Sequence, residues 1–169
     1  TLLCKKILPK QGGGMEIIMQ LSQKETELLK DLKEQEQLCV DKYERCAAEA
    51  CDPQLKNVFE YIEGVERGHL ETIKKIENGE EASLGSSSAM QKPTVSEYYS
   101  IADSEEKKHD DFLCADMLAT EKHASHLYDT CVFEFKNEGL RNTLNHIQKE
   151  EQEHGKLIYD YMAANNMYS

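Results

Sequence analysis

The sequence predicts an all-α protein, a bundle of four helices arranged as two antiparallel hairpins joined by a long crossover. Three observations predict it. Apolar residues recur at alternating steps of three and four in four long segments, helix-capping signals bracket those segments, and the second half repeats the first at an offset of 85 positions. Only three prolines and nine glycines occur in 169 residues, and four of the glycines fall in Gly12 to Gly14 or at Gly85, so long helices are permitted.

Residues 1–21 are an N-terminal segment set apart from the bundle. In Gln11-Gly12-Gly13-Gly14-Met15 the glycines just upstream of a methionine read like a translated purine-rich ribosome-binding site, so Met15 is the expected native start. Mass spectrometry of the native protein that found residues 1–14 would refute this. The bundle spans 22–164. Ser22-Gln23-Lys24-Glu25 is a capping box, in which serine and glutamate satisfy free amides of a first helical turn, and it opens a helix to about Cys51. Asp52-Pro53 supplies an N-cap followed by proline at the first helical position, so the second helix starts almost at once and folds back on the first.

That hairpin, 22–78, ends at Asn78-Gly79, a left-handed stop. The crossover covers 79–103, with Gly85-Ser86-Ser87-Ser88 as a flexible stretch and Thr94 to Ile101 as an expected short helix. The third helix runs from near Ser104 to about Lys136, and Asn137 caps a fourth that reaches about Ala164. They form the hairpin 104–164, followed by a tail at 165–169. Two hairpins joined by one long crossover give a four-helix bundle of the ferritin-like type.

The inward stripes are Leu29, Leu32, Glu36, Cys39, Tyr43, Cys46 and Ala50; Leu55, Phe59, Ile62, Glu66, His69, Ile73 and Ile76; Cys114, Met117, Glu121, Ala124, Tyr128, Cys131 and Phe135; and Leu140, Leu144, Ile147, Glu151, His154, Ile158 and Tyr161. Each is broken by acids or imidazoles at corresponding places: 36 maps to 121, 66 to 151 and 69 to 154. Asp31 with Asp116, Tyr43 with Tyr128, Cys46 with Cys131 and Ile62 with Ile147 follow the same offset. Counted from the turn, Glu36 lies level with the Glu66–His69 pair, and the repeat brings Glu121, Glu151 and His154 to that level.

Buried carboxylates are tolerated when paired or bound to metal, and no Lys or Arg stands on any stripe. One Glu from each of two helices and Glu-x-x-His from each of the other two is the ligand set of carboxylate-bridged di-metal bundles. Glu36, Glu66, His69, Glu121, Glu151 and His154 are therefore the candidate ligands for two divalent ions, iron or manganese first and zinc also compatible. One Glu-x-x-His alone would be an ordinary solvated pair; two copies, each facing a lone core glutamate, point to a site. Without metal the carboxylates must take up protons, so the metal-free protein is expected to be less stable at high pH.

Tyr43 and Tyr128, seven residues past the lone glutamates, read first as core filling, with capping or redox chemistry at the site as the alternative. His109, His123, His126 and His146 fall off the stripes and read as solvated, as do Glu80-Glu81 and Glu150 to Glu153 apart from Glu151. Six cysteines without a Cys-x-x-Cys pair read as reduced thiols, most of them core filling. A net charge of −12 argues against a nucleic acid or an anionic membrane as partner, and no apolar run approaches the roughly 20 residues that span a bilayer.

Asp111-Phe112-Leu113-Cys114 through Ala119-Thr120-Glu121-Lys122-His123-Ala124-Ser125, together with His146-Ile147-Gln148-Lys149-Glu150-Glu151-Gln152-Glu153-His154-Gly155, resembles the spore coat F protein family of endospore-forming bacteria. Leu38-Cys39-Val40-Asp41-Lys42-Tyr43 in the first half agrees, and the resemblance runs from about Leu21 to Tyr168. It implies a ferritin-like protein made in the cytoplasm and associated with the spore coat or sporulation, with other coat proteins as partners. Rubrerythrins and manganese catalases share the six-ligand pattern and act on peroxide or dioxygen, which implies a dinuclear redox enzyme as the alternative. The cysteine pairs of rubrerythrin are missing, so an attached electron donor is not expected. A hollow storage shell is a third, weaker expectation, and a homodimer is the expected assembly.

Overall fold

Four helices make up most of the described chain, and each begins at the capping side chain that the sequence assigns to it. The computed structural model describes residues 20–80, 91–100 and 102–168, and its helices are α1 Gln23–Glu49, α2 Pro53–Glu77, α3 Glu105–Glu134 and α4 Glu138–Ala164, with no strand among the described residues. Met15, the Gly85 to Ser88 stretch, Ile101 and Ser169 lie outside the described residues.

The Glu25 amide donates to Ser22 Oγ at 3.3 Å while the Ser22 amide donates to Glu25 Oε2 at 2.7 Å, which completes the capping box of α1. Asp52, Ser104 and Asn137 accept in the same way from Gln54, Lys107 and Leu140. At the end of α2, Gly79 takes φ 78°, where its amide reaches Ile76 O and that of Glu80 reaches Lys75 O, both at 3.0 Å. That pair of bonds is a Schellman stop, and it needs glycine because a Cβ disfavours positive φ.

α1 packs along α2 and α3 along α4, and the hairpins meet with α1 on α3 and α2 on α4. One tie at each end fixes their direction. The Lys136 amide in the α3–α4 turn donates to Glu25 at the start of α1 at 2.9 Å, and the Cys51 amide in the α1–α2 turn donates to Asp110 near the start of α3, also at 2.9 Å. Glu25 and Asp110 stand 85 positions apart, as do Cys51 and Lys136. Each hairpin thus presents an acid to the turn of the other, α1 and α3 run antiparallel, and the helices run up, down, down, up. A single long crossover is what connects two consecutive helices, α2 and α3, that run the same way.

All the stripe residues are buried except Ala50, which is half-buried. They form two apolar clusters. One, at the α1–α2 turn, is built around Tyr43, Phe59, Ile62, Met117 and Tyr161; the other, at the opposite end, around Leu29, Ile73, Tyr128, Leu144 and Ile147. Glu36, Glu66, His69, Glu121, Glu151 and His154 belong to neither cluster.

The crossover differs from expectation, since residues 91–100 contain no helix. Their backbone amides are satisfied by side chains instead of by a helical ladder. Asn165 Oδ1 accepts from the amides of Tyr98 and Tyr99 at 2.8 and 2.9 Å, and Gln54 Oε1 accepts from that of Ser96 at 3.2 Å. Asn165, fully buried, belongs to the packed fold and ties the strap to the end of α4. Cys51, expected inside the first helix, is exposed in the turn because α1 stops at Glu49.

Candidate metal centre

α1 and α3 each bring one carboxylate to the middle of the bundle, Glu36 and Glu121. α2 and α4 each bring a carboxylate and an imidazole, Glu66 with His69 and Glu151 with His154, because a spacing of three puts both side chains on one helix face a turn apart. None of the six is more than 4 % exposed. Their polar atoms form two groups of four, Glu36, Glu66, His69 and Glu151 in one, Glu66, Glu121, Glu151 and His154 in the other, each with its ligand atoms within 4.8 Å of one another. Glu66 and Glu151 are common to both.

Distances within each group suit a shared cation. His69 Nδ1 lies 3.1 Å from Glu151 Oε1, 3.3 Å from Glu66 Oε2 and 3.7 Å from Glu36 Oε2. His154 Nδ1 lies 3.0 Å from Glu66 Oε1 and 3.5 Å from Glu121 Oε2. The two rings stack loosely, with centroids 5.8 Å apart. Ligand atoms at right angles around an ion about 2.1 Å away stand roughly 3 Å from each other, the lower end of this range.

Hydrogen bonding alone leaves the layer unsatisfied. An imidazole nitrogen carries one proton at most, yet His69 Nδ1 faces three carboxylates. Glu36 Oε2, Glu121 Oε2 and both oxygens of Glu151 are buried with no hydrogen-bond partner. Among the described residues, no Lys or Arg forms an ion pair with any of the four glutamates. Orphaned acceptors of this kind cost about 1–3 kcal/mol each, more when charged, and a divalent ion satisfies several at once.

The electrostatics divide the layer. Burial and the neighbouring Glu66 charge push the Glu36 carboxyl well above its ordinary range, and burial with the charges of Glu66, Glu121 and Glu36 does the same to Glu151. Burial also opposes ionisation of Glu66, but hydrogen bonds from His154 and His69 and their positive charges outweigh it and hold Glu66 below the usual carboxylate range. Burial opposes charging of both imidazoles. The carboxylates of Glu150, Glu151 and Glu66 around its ring nevertheless raise His69 well above normal, and those of Glu121 and Glu66 push His154 up to about 9.

Tyr43 and Tyr128 fill the core and also reach the site. Tyr43 donates its hydroxyl to Glu121 Oε1 and Tyr128 donates to Glu36 Oε1, each crossing between hairpins. Burial and the adjacent carboxylates raise both phenols, which keeps them neutral donors. Each lone glutamate is thereby held through one oxygen while the other stays free.

Glu150 corrects the expectation of a solvent-facing side chain. It is half-buried, and its Oε2 lies 2.9 Å from His69 Nε2, across from α4 to α2, and 3.4 Å from His146 Nε2. The signal was weak, because Glu150 lies off the inward stripe and only the closeness of α2 brings it to the ring. His109, His123 and His126 are exposed and His146 is half-exposed, as their off-stripe positions predict. Cys39, Cys46, Cys114 and Cys131 are free and buried.

A second cluster, Cys51, His109 and Asp110, has ligand atoms close enough to hold an ion. Both Asp110 oxygens are already occupied, however, accepting from the amides of Cys51 and Asp52 and from the Tyr99 hydroxyl. It is read as a hydrogen-bonded knot that locks the α1–α2 turn to α3.

Among the described residues no helix is long and apolar enough to cross a membrane. No curated protein and no solved structure is matched by this chain. Residues 109–169 match the family model of the Coat F domain, a span that takes in most of α3 and all of α4 with Glu121, Glu151 and His154. The C-terminal hairpin is thus similar to the Coat F domain, which supports the resemblance to spore coat F proteins over that part of the chain.

Proposed function

We propose that this is a ferritin-like bundle carrying a di-metal centre, in a protein associated with the spore coat or with sporulation. One ion would be held by Glu36, Glu66, His69 and Glu151, the other by Glu66, Glu121, Glu151 and His154. The observation that carries the reading is the sharing of Glu66 and Glu151 between two four-residue groups whose remaining carboxylate oxygens are buried and unpartnered. Four carboxylates and two divalent ions balance in charge, whereas two protonated imidazoles would balance only half of the acids. Oxygen-rich donors with one imidazole per ion suit iron or manganese, with zinc also compatible.

In this reading the centre is a cross-brace. All four helices donate to it, so a bound pair of ions links both hairpins at mid-height and adds its binding free energy to folding. The Coat F match over residues 109–169 supports placement among coat proteins.

A dinuclear redox enzyme is the second reading, and the two phenols bonded to Glu36 and Glu121 favour it. Redox-active ions supply electron transfer to peroxide or dioxygen when bound. This chain's own residues would anchor the ligands, through Tyr43 and Tyr128, and keep bulk water from a layer at most 4 % exposed. Reconstitution with Mn(II) or Fe(II), followed by metal analysis and a peroxide-consumption assay on wild type and Glu66→Ala, separates the readings. Two ions per chain without turnover supports the brace; turnover lost in Glu66→Ala supports the enzyme; a fully reconstituted protein without metal rules out both.

A further inference from the structure

All six residues of the candidate centre have an identical counterpart 85 positions away, but the residue beside Glu151 does not: the counterpart of Glu150 is Val65. The difference is felt at the imidazoles. Glu150 Oε2 is 2.9 Å from His69 Nε2 and so takes its outer proton, which leaves Nδ1 to face Glu36, Glu66 and Glu151. Val65 is a buried hydrocarbon and cannot accept a proton from His154. His146, which backs Glu150 at 3.4 Å, is likewise replaced by Tyr61 at the counterpart position. Val65, Tyr61 and His154 line one cavity of about 20 Å³, room for a single water, together with Lys92, Glu150 and Glu153, so the outer face of His154 meets Val65 and at most a water where His69 meets a carboxylate directly.

A carboxylate on the outer nitrogen of a ligating imidazole fixes its tautomer and orientation and makes the inner nitrogen a better donor; losing such a partner typically weakens metal binding 10–100-fold. Resting on the di-metal reading above, we propose that the two ion positions are unequal. The position served by His69 fills first and holds its ion more tightly, because Glu150 positions that ring, while the position served by His154 has a hydrocarbon in the same place and exchanges its ion more readily. Glu150 is a positioning residue, acting through His69.

The test is site-resolved occupancy. Crystals of the metal-free full chain loaded with one equivalent of Mn(II), measured by anomalous diffraction, should show at least about threefold more manganese on the His69 side, the low end of what a tenfold affinity gap allows. Glu150→Gln should erase or reverse that preference and weaken the tighter step of a Mn(II) titration by roughly 10-fold or more. Glu44→Gln, which removes the same charge from an exposed side chain of α1 whose partner is Arg67, should leave both unchanged. Equal occupancy in wild type, excess on the His154 side, or an unchanged preference in a folded Glu150→Gln protein would overturn the inference while leaving the di-metal reading intact. No bound manganese at all would remove that reading and this one with it. The wild-type occupancy needs no variant, so a Glu150→Gln protein that fails to fold does not block the test.

Discussion

Stripping metal from this protein and raising the pH should destabilise it, and the layer sets the size of the effect. His154 goes from an ordinary 6.5 to about 9 in the fold. A raised imidazole contributes its full stabilisation below 6.5 and loses it as pH rises through about 9. At 1.36 kcal/mol per unit, that loss is about 3 kcal/mol. His69, also raised, acts in the same direction, and so do Glu36 and Glu151, whose raised carboxyls penalise the fold as pH climbs above 4.5. Glu66 is held low, so its contribution is constant over this range and fails only in acid.

For a domain of this length each kcal/mol moves Tm by roughly 2–4 °C, so the metal-free protein should melt about 6–12 °C lower at pH 9.5 than at pH 6. Circular dichroism melts in EDTA measure it. General self-repulsion from a net charge of −12 acts in the same direction, so the site's share is the difference from His154→Gln, whose slope should be shallower. With Mn(II) the trend should flatten or reverse, because deprotonation frees ligands for the ion. A metal-free Tm that is level or rises between pH 6 and 9.5 would refute the reasoning.

Tyr43→Phe and Tyr128→Phe should each cost about 1–3 kcal/mol in denaturant unfolding, because each leaves one more buried glutamate oxygen without a partner, and should do so to similar extents because each phenol serves one lone glutamate. Asp110→Ala strands the amides of Cys51 and Asp52 and the Tyr99 hydroxyl, and should cost about 3 kcal/mol or more by the same measurement. Iodoacetamide at pH 8 followed by peptide mapping should label Cys51 well before Cys39, Cys46, Cys114 and Cys131, whose thiols are buried, with burial pushing Cys46 up to about 11 and Cys131 up to about 12.

Local rules made most of this arrangement legible. Ser22, Asp52, Ser104 and Asn137 cap the helices that their chemistry predicts, and the three-four spacing finds every buried polar residue of the layer, since both depend on neighbours within a turn or two. What escaped depends on contacts between distant segments. Glu150 looks solvent-facing from its own helix, and only the approach of α2 makes it the partner of His69. Thr94 to Ser100 carries residues compatible with a helical turn, yet Asn165 and Gln54 offer its amides better-placed acceptors, so it forms a strap without a helix. The tyrosines were readable as core and not as donors, because spacing along one helix does not tell which side chain of the facing helix meets the hydroxyl.

Equilibrium metal content tests the central claim most directly. Full-length protein refolded with excess Mn(II), desalted and measured by elemental analysis at pH 7.5 should hold two ions per chain, and Glu66→Gln with Glu151→Gln, which alters both shared carboxylates, should hold fewer than one while remaining helical. A wild type without bound ion, or a double variant that still holds two, would contradict the account.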